Sequence, residues 1–215
     1  MLLTDGEIKE MLGNEIVIEG FDEEFLQASS YDMRIGKRAL VSHAETEIDI
    51  EKKGSVPIKP GEFALLTTYE KVKLASNVAG HIGVKSYYTR KGLVLLAGLQ
   101  IDPGFEGHLV LGIYNAAPRQ LVLDYRSAFC TVEFHKLVRP VEKPYVPRGE
   151  QLKGQIPQVD KDYLRTLETQ SLSDVAESVR QLTTNMGEMN RWIKQVVLPI
   201  LMLILAAIVG SAIFK

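Results

Sequence analysis

Lys85, Ser86 and Arg90 bring two cations and a hydroxyl into one short stretch. Ammonium, guanidinium and hydroxyl donors placed together suit the oxygens of a phosphate chain. A carboxylate follows at Asp102, inside the turn-forming run Asp102-Pro103-Gly104. Two mostly aliphatic runs of strand length, Leu93 to Leu96 and Leu109 to Tyr114, flank that turn. The spacing predicts a hairpin with a polar tip, and so a binding site built on β-strands whose polar groups face one ligand. Asp102 also reads as a plain turn former, because Asp before Pro-Gly is common in turns.

The elements that must position these groups are short. Thr4-Asp5-Gly6-Glu7 has the form of a capping box, and Ile8, Met11 and Leu12 follow at helical spacing, which predicts a first helix to about Leu12 stopped by Gly13-Asn14. Ile16 to Ile18 then reads as a strand. Further apolar runs at Ala39–Val41, Ile48–Ile50, Phe63–Thr67, Val72–Leu74, Leu121–Leu123 and Phe129–Phe134 alternate with Gly, Pro, Lys and Asp clusters. That rhythm predicts a mainly β fold, a distorted barrel or jelly roll, and no helical period separates the strands as a parallel α/β sheet would need.

Four segments resemble, in order, those of the trimeric dCTP deaminase and dUTPase superfamily. They are Ser30-Tyr31-Asp32-Met33-Arg34-Ile35-Gly36, Pro60-Gly61-Glu62-Phe63 through Val72-Lys73-Leu74, Lys85 through Leu93, and Ile101-Asp102-Pro103-Gly104-Phe105-Glu106-Gly107. The resemblance is to the deaminase branch and covers roughly residues 1–155. It implies the dUTPase-like β-fold, a homotrimer with sites assembled between subunits, and a deoxynucleoside triphosphate, dCTP or dUTP, bound with Mg²⁺. Lys85, Ser86 and Arg90 match the family's phosphate-binding segment, with Lys where the family has Arg. Gln151-Leu152-Lys153-Gly154-Gln155 is similar to its nucleotide-covering tail, without the Tyr, which implies nucleotide contacts for Lys153 and Gln155. In the dUTPase branch the Asp matching Asp102 orients or deprotonates the attacking water, so Asp102 is the catalytic candidate.

One position departs from the deaminase pattern. The strand after the turn carries a Glu in that family, the acid/base of deamination, and here reads Leu111-Gly112-Ile113-Tyr114-Asn115. A glycine moves no proton, and general acid/base catalysis is worth roughly 10²–10⁴-fold in rate. Glu106 and Glu133 are the substitutes to consider. A zinc-dependent route needs a Cys/His site, and the chain has Cys130 alone. The four histidines show no metal-ligand spacing and read as solvated or structural. Arg34 reads as making a structural salt bridge within its strand, and Gly107 and Asn115 as turn or strand-end residues.

A net charge of −2 without a basic run leaves no footprint for a nucleic-acid polymer. One cysteine excludes an internal disulfide, and acidic residues near Met1 argue against a secretory signal, which predicts a cytoplasmic body. Residues 1–140 read as the β-domain, and 141–170, rich in Pro and Gly at first, as either a linker or a lid. Leu172, Val175, Val179, Leu182, Met186, Met189, Ile193 and Val196 repeat at spacings of three and four, predicting a coiled coil over 171–195. Residues 196–214 carry no charge, enough to cross a hydrocarbon core of ~30 Å, and read as a transmembrane helix after the Arg191, Trp192 and Lys194 anchor. Three functions fit these features. They are a membrane-held nucleotide-binding protein, an active nucleotide hydrolase using Asp102 or another base, and a trimeric scaffold without catalysis.

Overall fold

The computed structural model describes residues 1–202 except 43, 45, 97, 148 and 167–171. It falls into two compact units, Met1–Ser171 and the chain from Leu172 onward. The first unit opens on helix α1 (Asp5–Met11), held by the expected capping box. The Glu7 amide donates to Thr4 Oγ1, and the Thr4 amide donates to Glu7 Oε2 at 2.9 Å.

Among the described residues twelve strands follow. They are β1 (Ile16–Glu19), β2 (Leu26–Gln27), β3 (Ser30–Val41), β4 (Ile48–Asp49), β5 (Ser55–Ile58), β6 (Phe63–Leu74), β7 (Val78–Val84), β8 (Leu93–Leu95), β9 (Gln100–Ile101), β10 (Glu106–Asn115), β11 (Leu121–Asp124) and β12 (Ala128–Lys136). Short helices α2 (Ile50–Lys53) and α3 (Ser86–Thr89) interrupt them, and α4 (Gly149–Leu152) and α5 (Gln158–Thr166) follow. One sheet runs β8-β10-β6-β3-β12-β7-β9, with β1 on β6 and both β2 and β4 on β3, while β5 and β11 form a separate ribbon. Every strand pairing among the described residues is antiparallel.

Strand β3 explains why the sheet curls. Its first half pairs with β12 and its second with β6, and the register shifts between Ile35 and Ala39. Bulges of this kind bend a strand and sharpen its twist, and a further shift lies on β10 between His108 and Val110. The result is a mainly β half-barrel whose inner face carries Tyr31, Met33, Leu66, Leu111, Phe129 and Phe134. At the β3 bulge a Cβ on Gly36 would lie 2.4 Å from the Thr68 carbonyl oxygen, so the two backbones meet only because residue 36 has no side chain.

Next to that bulge the sheet buries an ion pair. Arg34 Nε donates to Glu70 Oε1 at 2.6 Å, the Arg34 amide donates to Glu70 Oε2 at 2.9 Å, and Nη2 donates to the Gly20 carbonyl. Arg34 therefore makes its salt bridge to the neighbouring strand, with its guanidinium between the rings of Phe25 and Tyr69 at 4.5 and 4.7 Å. Burial pushes the Glu70 carboxyl above its ordinary range, and Arg34 pulls it back only in part. The pair also explains why two expected strands are one. Phe63–Thr67 and Val72–Leu74 are ends of the single strand β6, whose polar middle stays in the sheet because Glu70 has a partner inside. Ile48–Ile50 is shorter than expected, since Asp49 caps α2 through the Lys52 amide and turns Ile50 into a helix.

In the second unit, helix α6 (Leu172–Trp192) continues into a π-helical turn at Ile193–Val197. Val179, Leu182, Met186 and Met189 are each more than half exposed along it, a stripe without a partner helix among the described residues. The apolar run 196–214 lies mostly outside the described residues. Among those described, no helix is long and apolar enough to cross a membrane.

Removing one partner of a buried ion pair strands the other charge. Glu70→Ala should cost about 3–5 kcal/mol in chemical denaturation. The double variant Arg34→Met/Glu70→Leu should be less destabilised than Glu70→Ala, and an equal or larger loss would mean that the pair itself supplies the stability.

Candidate functional site

The cationic segment sits at the start of α3. Lys85 precedes the helix, and its amide donates to the Phe129 carbonyl at 3.0 Å. Its ammonium forms an ion pair with the buried carboxylate of Asp32 on β3. That charge points into the protein. Ser86 and Arg90 are both exposed, and neither side chain has a hydrogen-bond or ion-pair partner among the described residues. Gly92 closes the segment with φ +95°, and a Cβ there would lie 2.8 Å from that of Ala117. The segment thus packs on the loop after β10. Buried Asn115 holds that loop by donating to the carbonyls of Ile58 and Arg119 and accepting from the Ala117 amide, all at 2.9 Å. Arg90 lines a hollow of about 620 Å³ there, with Tyr87, Lys91, Arg119 and Asp124.

The expected hairpin is partly present. β8 and β10 do pair, Leu95 opposite Ile113. The chain between them, however, crosses to β7, where Ile101 pairs with Gly80 and is buried. Asp102-Pro103-Gly104 is therefore the turn from β9 into β10 and no hairpin tip. The Phe105 amide donates to the Asp102 carbonyl at 3.1 Å and Gly104 has φ +86°, the geometry of a type II turn with proline in its second place. The Asp102 carboxylate is exposed and accepts from Gln100 Nε2 at 2.9 Å. It lines a second hollow, about 210 Å³, with Phe105, Leu111, Tyr145 and Gln151.

Gly112 lies on β10 opposite Leu65 and is buried. Leu109, Leu111 and Ile113 point into the main core, so position 112 faces the other side of the sheet. A Cβ there would stand 3.0 Å from the tip of the Phe63 ring and 3.6 Å from the Leu96 carbonyl oxygen. A Cβ is accommodated once that ring gives by a few tenths of an ångström. Of the substitute bases, Glu106 is held by Lys73 at 3.1 Å and Lys71 at 3.2 Å, which keep its carboxyl below the ordinary range. It is a fixed anion.

The segment after β12 packs on the sheet. The Tyr145 amide donates to the Pro103 carbonyl at 2.8 Å, and Tyr145 Oη donates to Gln151 Oε1 at 3.0 Å. Gly107, with φ +151°, lets Gln151 approach β10, and Gly154 has no Cβ to crowd the His108 ring. Lys153, Gly154 and Gln155 line a third hollow, about 260 Å³, with Lys37, Arg38 and His108. Ile156 and Leu164 are buried against Leu40 and Leu65, and Lys161 reaches Glu47 at 2.6 Å.

Within one chain four of the candidate residues line three separate hollows, Arg90 the first, Asp102 the second, and Lys153 and Gln155 the third, while Lys85 and Ser86 line none of these. The pairing of β7 with β12 adds a cluster that spacing alone did not suggest, His81 with Glu133 and His135. The only local hint in the sequence is Glu133-Phe134-His135, a same-face pair if the run is a strand.

The fold is a curled, mainly β domain, and the candidate residues that line hollows are spread over three of them. The chain belongs to the dCTP deaminase-like family, which matches residues 2–137. A dCTP deaminase of Pyrococcus abyssi is 39% identical over 145 residues, covering 67% of this chain and 90% of that protein. A dUMP-forming dCTP deaminase of Streptomyces coelicolor is 33% identical over 191 residues, 79% of this chain and all of that one. Among solved structures, the 2'-deoxycytidine 5'-triphosphate deaminase of Agrobacterium tumefaciens aligns with a TM-score of 0.53 at 20% identity, over 63% of this chain and 47% of that one.

The tail's small apolar cluster makes a prediction. Ile156→Ala should speed limited proteolysis between residues 146 and 166 while leaving the sheet resistant, because it removes most of a fully buried side chain. Unchanged cleavage would mean that polar contacts alone hold the tail.

Proposed function

We propose that this chain is a deoxynucleoside-triphosphate-binding protein, taking dCTP or dUTP with Mg²⁺, in which ordinary deamination is lost. The observation that carries the reading is Gly112, set on β10 where the resemblance implies the acid/base Glu, with the Phe63 ring at the place its side chain would enter. Ser86 and Arg90 supply exposed donors for phosphate oxygens, and their lack of internal partners favours that role. Lys85 contributes more weakly, because Asp32 already engages it. Lys153 and Gln155 close over the nucleotide from the tail.

The separation of these groups into three hollows favours a site completed by a neighbouring copy, in a homotrimer. The exposed stripe on α6 would be buried by two partner helices of a parallel coil. The uncharged run 196–214 would then anchor the assembly in a membrane, with the N-terminal domain on the cytoplasmic side. Asp102 offers a hard oxygen donor of the kind Mg²⁺ accepts alongside substrate phosphates, and the cation would neutralise phosphate charge. The full chain with Mg²⁺ should show a rise in melting temperature with dCTP or dUTP, with little ammonia released from dCTP. No shift with any nucleotide would leave the scaffold reading in possession.

Two variants refine the assignment. Gly112→Glu should raise ammonia release from dCTP by about 10²-fold or more if the rest of the pocket is intact. A wild-type rate already typical of enzymes would mean that another residue supplies the base.

A second reading, a pyrophosphatase, is favoured by the exposed, hydrogen-bonded carboxylate of Asp102. In that case Asp102→Asn should abolish pyrophosphate release while leaving the nucleotide-induced thermal shift nearly unchanged. Equal loss of both would assign Asp102 to the turn alone.

A further inference from the structure

Sheet register brings His81, Glu133 and His135 together on one face. His81 on β7 stands directly opposite Glu133 on β12, and His135 lies two residues further along the same strand. Phe134 and Val132 alternate with them into the core, so Glu133 and His135 share the other face. The two imidazole rings meet edge to face with centroids 5.0 Å apart. One donor atom from each of the three side chains lies within 4.8 Å of the other two.

The polar accounting of this cluster is incomplete. His135 Nε2 is buried without a hydrogen-bond partner, its nearest charged neighbour being Glu133 Oε2 at 3.8 Å. A buried imidazole nitrogen without a partner is costly unless something fills the gap. Lys136, next in the chain, reaches Glu15 at 3.3 Å.

From this geometry we infer that His81, Glu133 and His135 bind a divalent transition metal of the zinc class. Two neutral imidazoles and one carboxylate form a donor set of borderline softness carrying one negative charge, which suits Zn²⁺, whereas Mg²⁺ and Ca²⁺ favour oxygen-only shells. Zn–N and Zn–O bonds of roughly 2.0–2.2 Å in a tetrahedron put ligand atoms roughly 3.4 Å apart. The three side chains need to close by about an ångström, a rotamer adjustment on fixed strands. Three protein ligands leave one coordination position open, to water or to an anionic group. The metal would also tie β7 to β12, and β7 leads directly into Lys85, Ser86 and Arg90.

The test uses the full chain with any affinity tag removed, stripped with EDTA and titrated with ZnCl₂ by calorimetry. Visible absorption of a Co²⁺-loaded sample reports the ligand geometry. One Zn²⁺ per chain should bind and raise the melting temperature. His81→Ala and His135→Ala should each weaken binding by about tenfold or more, and Glu133→Gln should weaken it in the same direction. His108→Ala, outside the cluster, should leave zinc binding unchanged. Should His135→Ala fail to fold, the His81→Ala and Glu133→Gln variants decide, with circular dichroism in EDTA to show that they retain the fold. Absence of zinc binding, or binding that survives His81→Ala at full affinity, would overturn the assignment.

Discussion

Glu70 has no exposed surface, and both of its oxygens are committed to Arg34. That one arrangement fixes the register of β3 against β6, because the carboxylate binds the Arg34 backbone as well as its side chain. The bulge at Gly36 follows immediately and depends on the same register, since a slip by one residue would put side chains where Gly36 touches the Thr68 carbonyl. With β3 bent there, its two halves serve different neighbours, and the sheet closes around its core. The segment Ser30–Gly36 is thus largely architecture, its Asp32 engaged with Lys85 and its Arg34 with Glu70.

Strand β10 inherits the consequences. One of its faces completes the main core through Leu109, Leu111 and Ile113, and the other meets the tail. Glycine at 107 admits Gln151, and glycine at 112 admits the Phe63 ring. The absence of a side chain at 112 is therefore a packing solution. Any larger residue there has to be compatible with how the outer face is filled.

Much of this was legible from residue patterns, and the failures have specific causes. The capping box at Thr4, the strand character of the apolar runs and the turn at Asp102-Pro103-Gly104 depend on interactions within a few residues, which spacing encodes. The hairpin was misread because Ile101 finds its place against Gly80, a contact across the fold. β6 was split in two because a buried Glu looks like a loop residue until its partner 36 positions away is known. The His81, Glu133 and His135 cluster was invisible for the same reason, since only the β7–β12 register puts residue 81 beside residue 133. At the site, the separation of Arg90 from Asp102 could not be read from a sequence in which they are twelve residues apart.

The tail has a mechanical meaning as well as a structural one. From Tyr145 to Leu164 it runs from the turn before β10, across Gly107 and His108, to the apolar pair Leu40 and Leu65. The chain beyond residue 166 is joined covalently to the sheet through this segment. Tension arriving along the chain from beyond residue 166 would load the Leu164 contact and the Lys161–Glu47 bridge first, then Ile156, and reach the Asp102 turn only after those had yielded. The tail is in this sense a series of mechanical fuses. A pull at the C-terminal end would then load the tail's contacts on β3 and β6 before it reached the Asp102 turn.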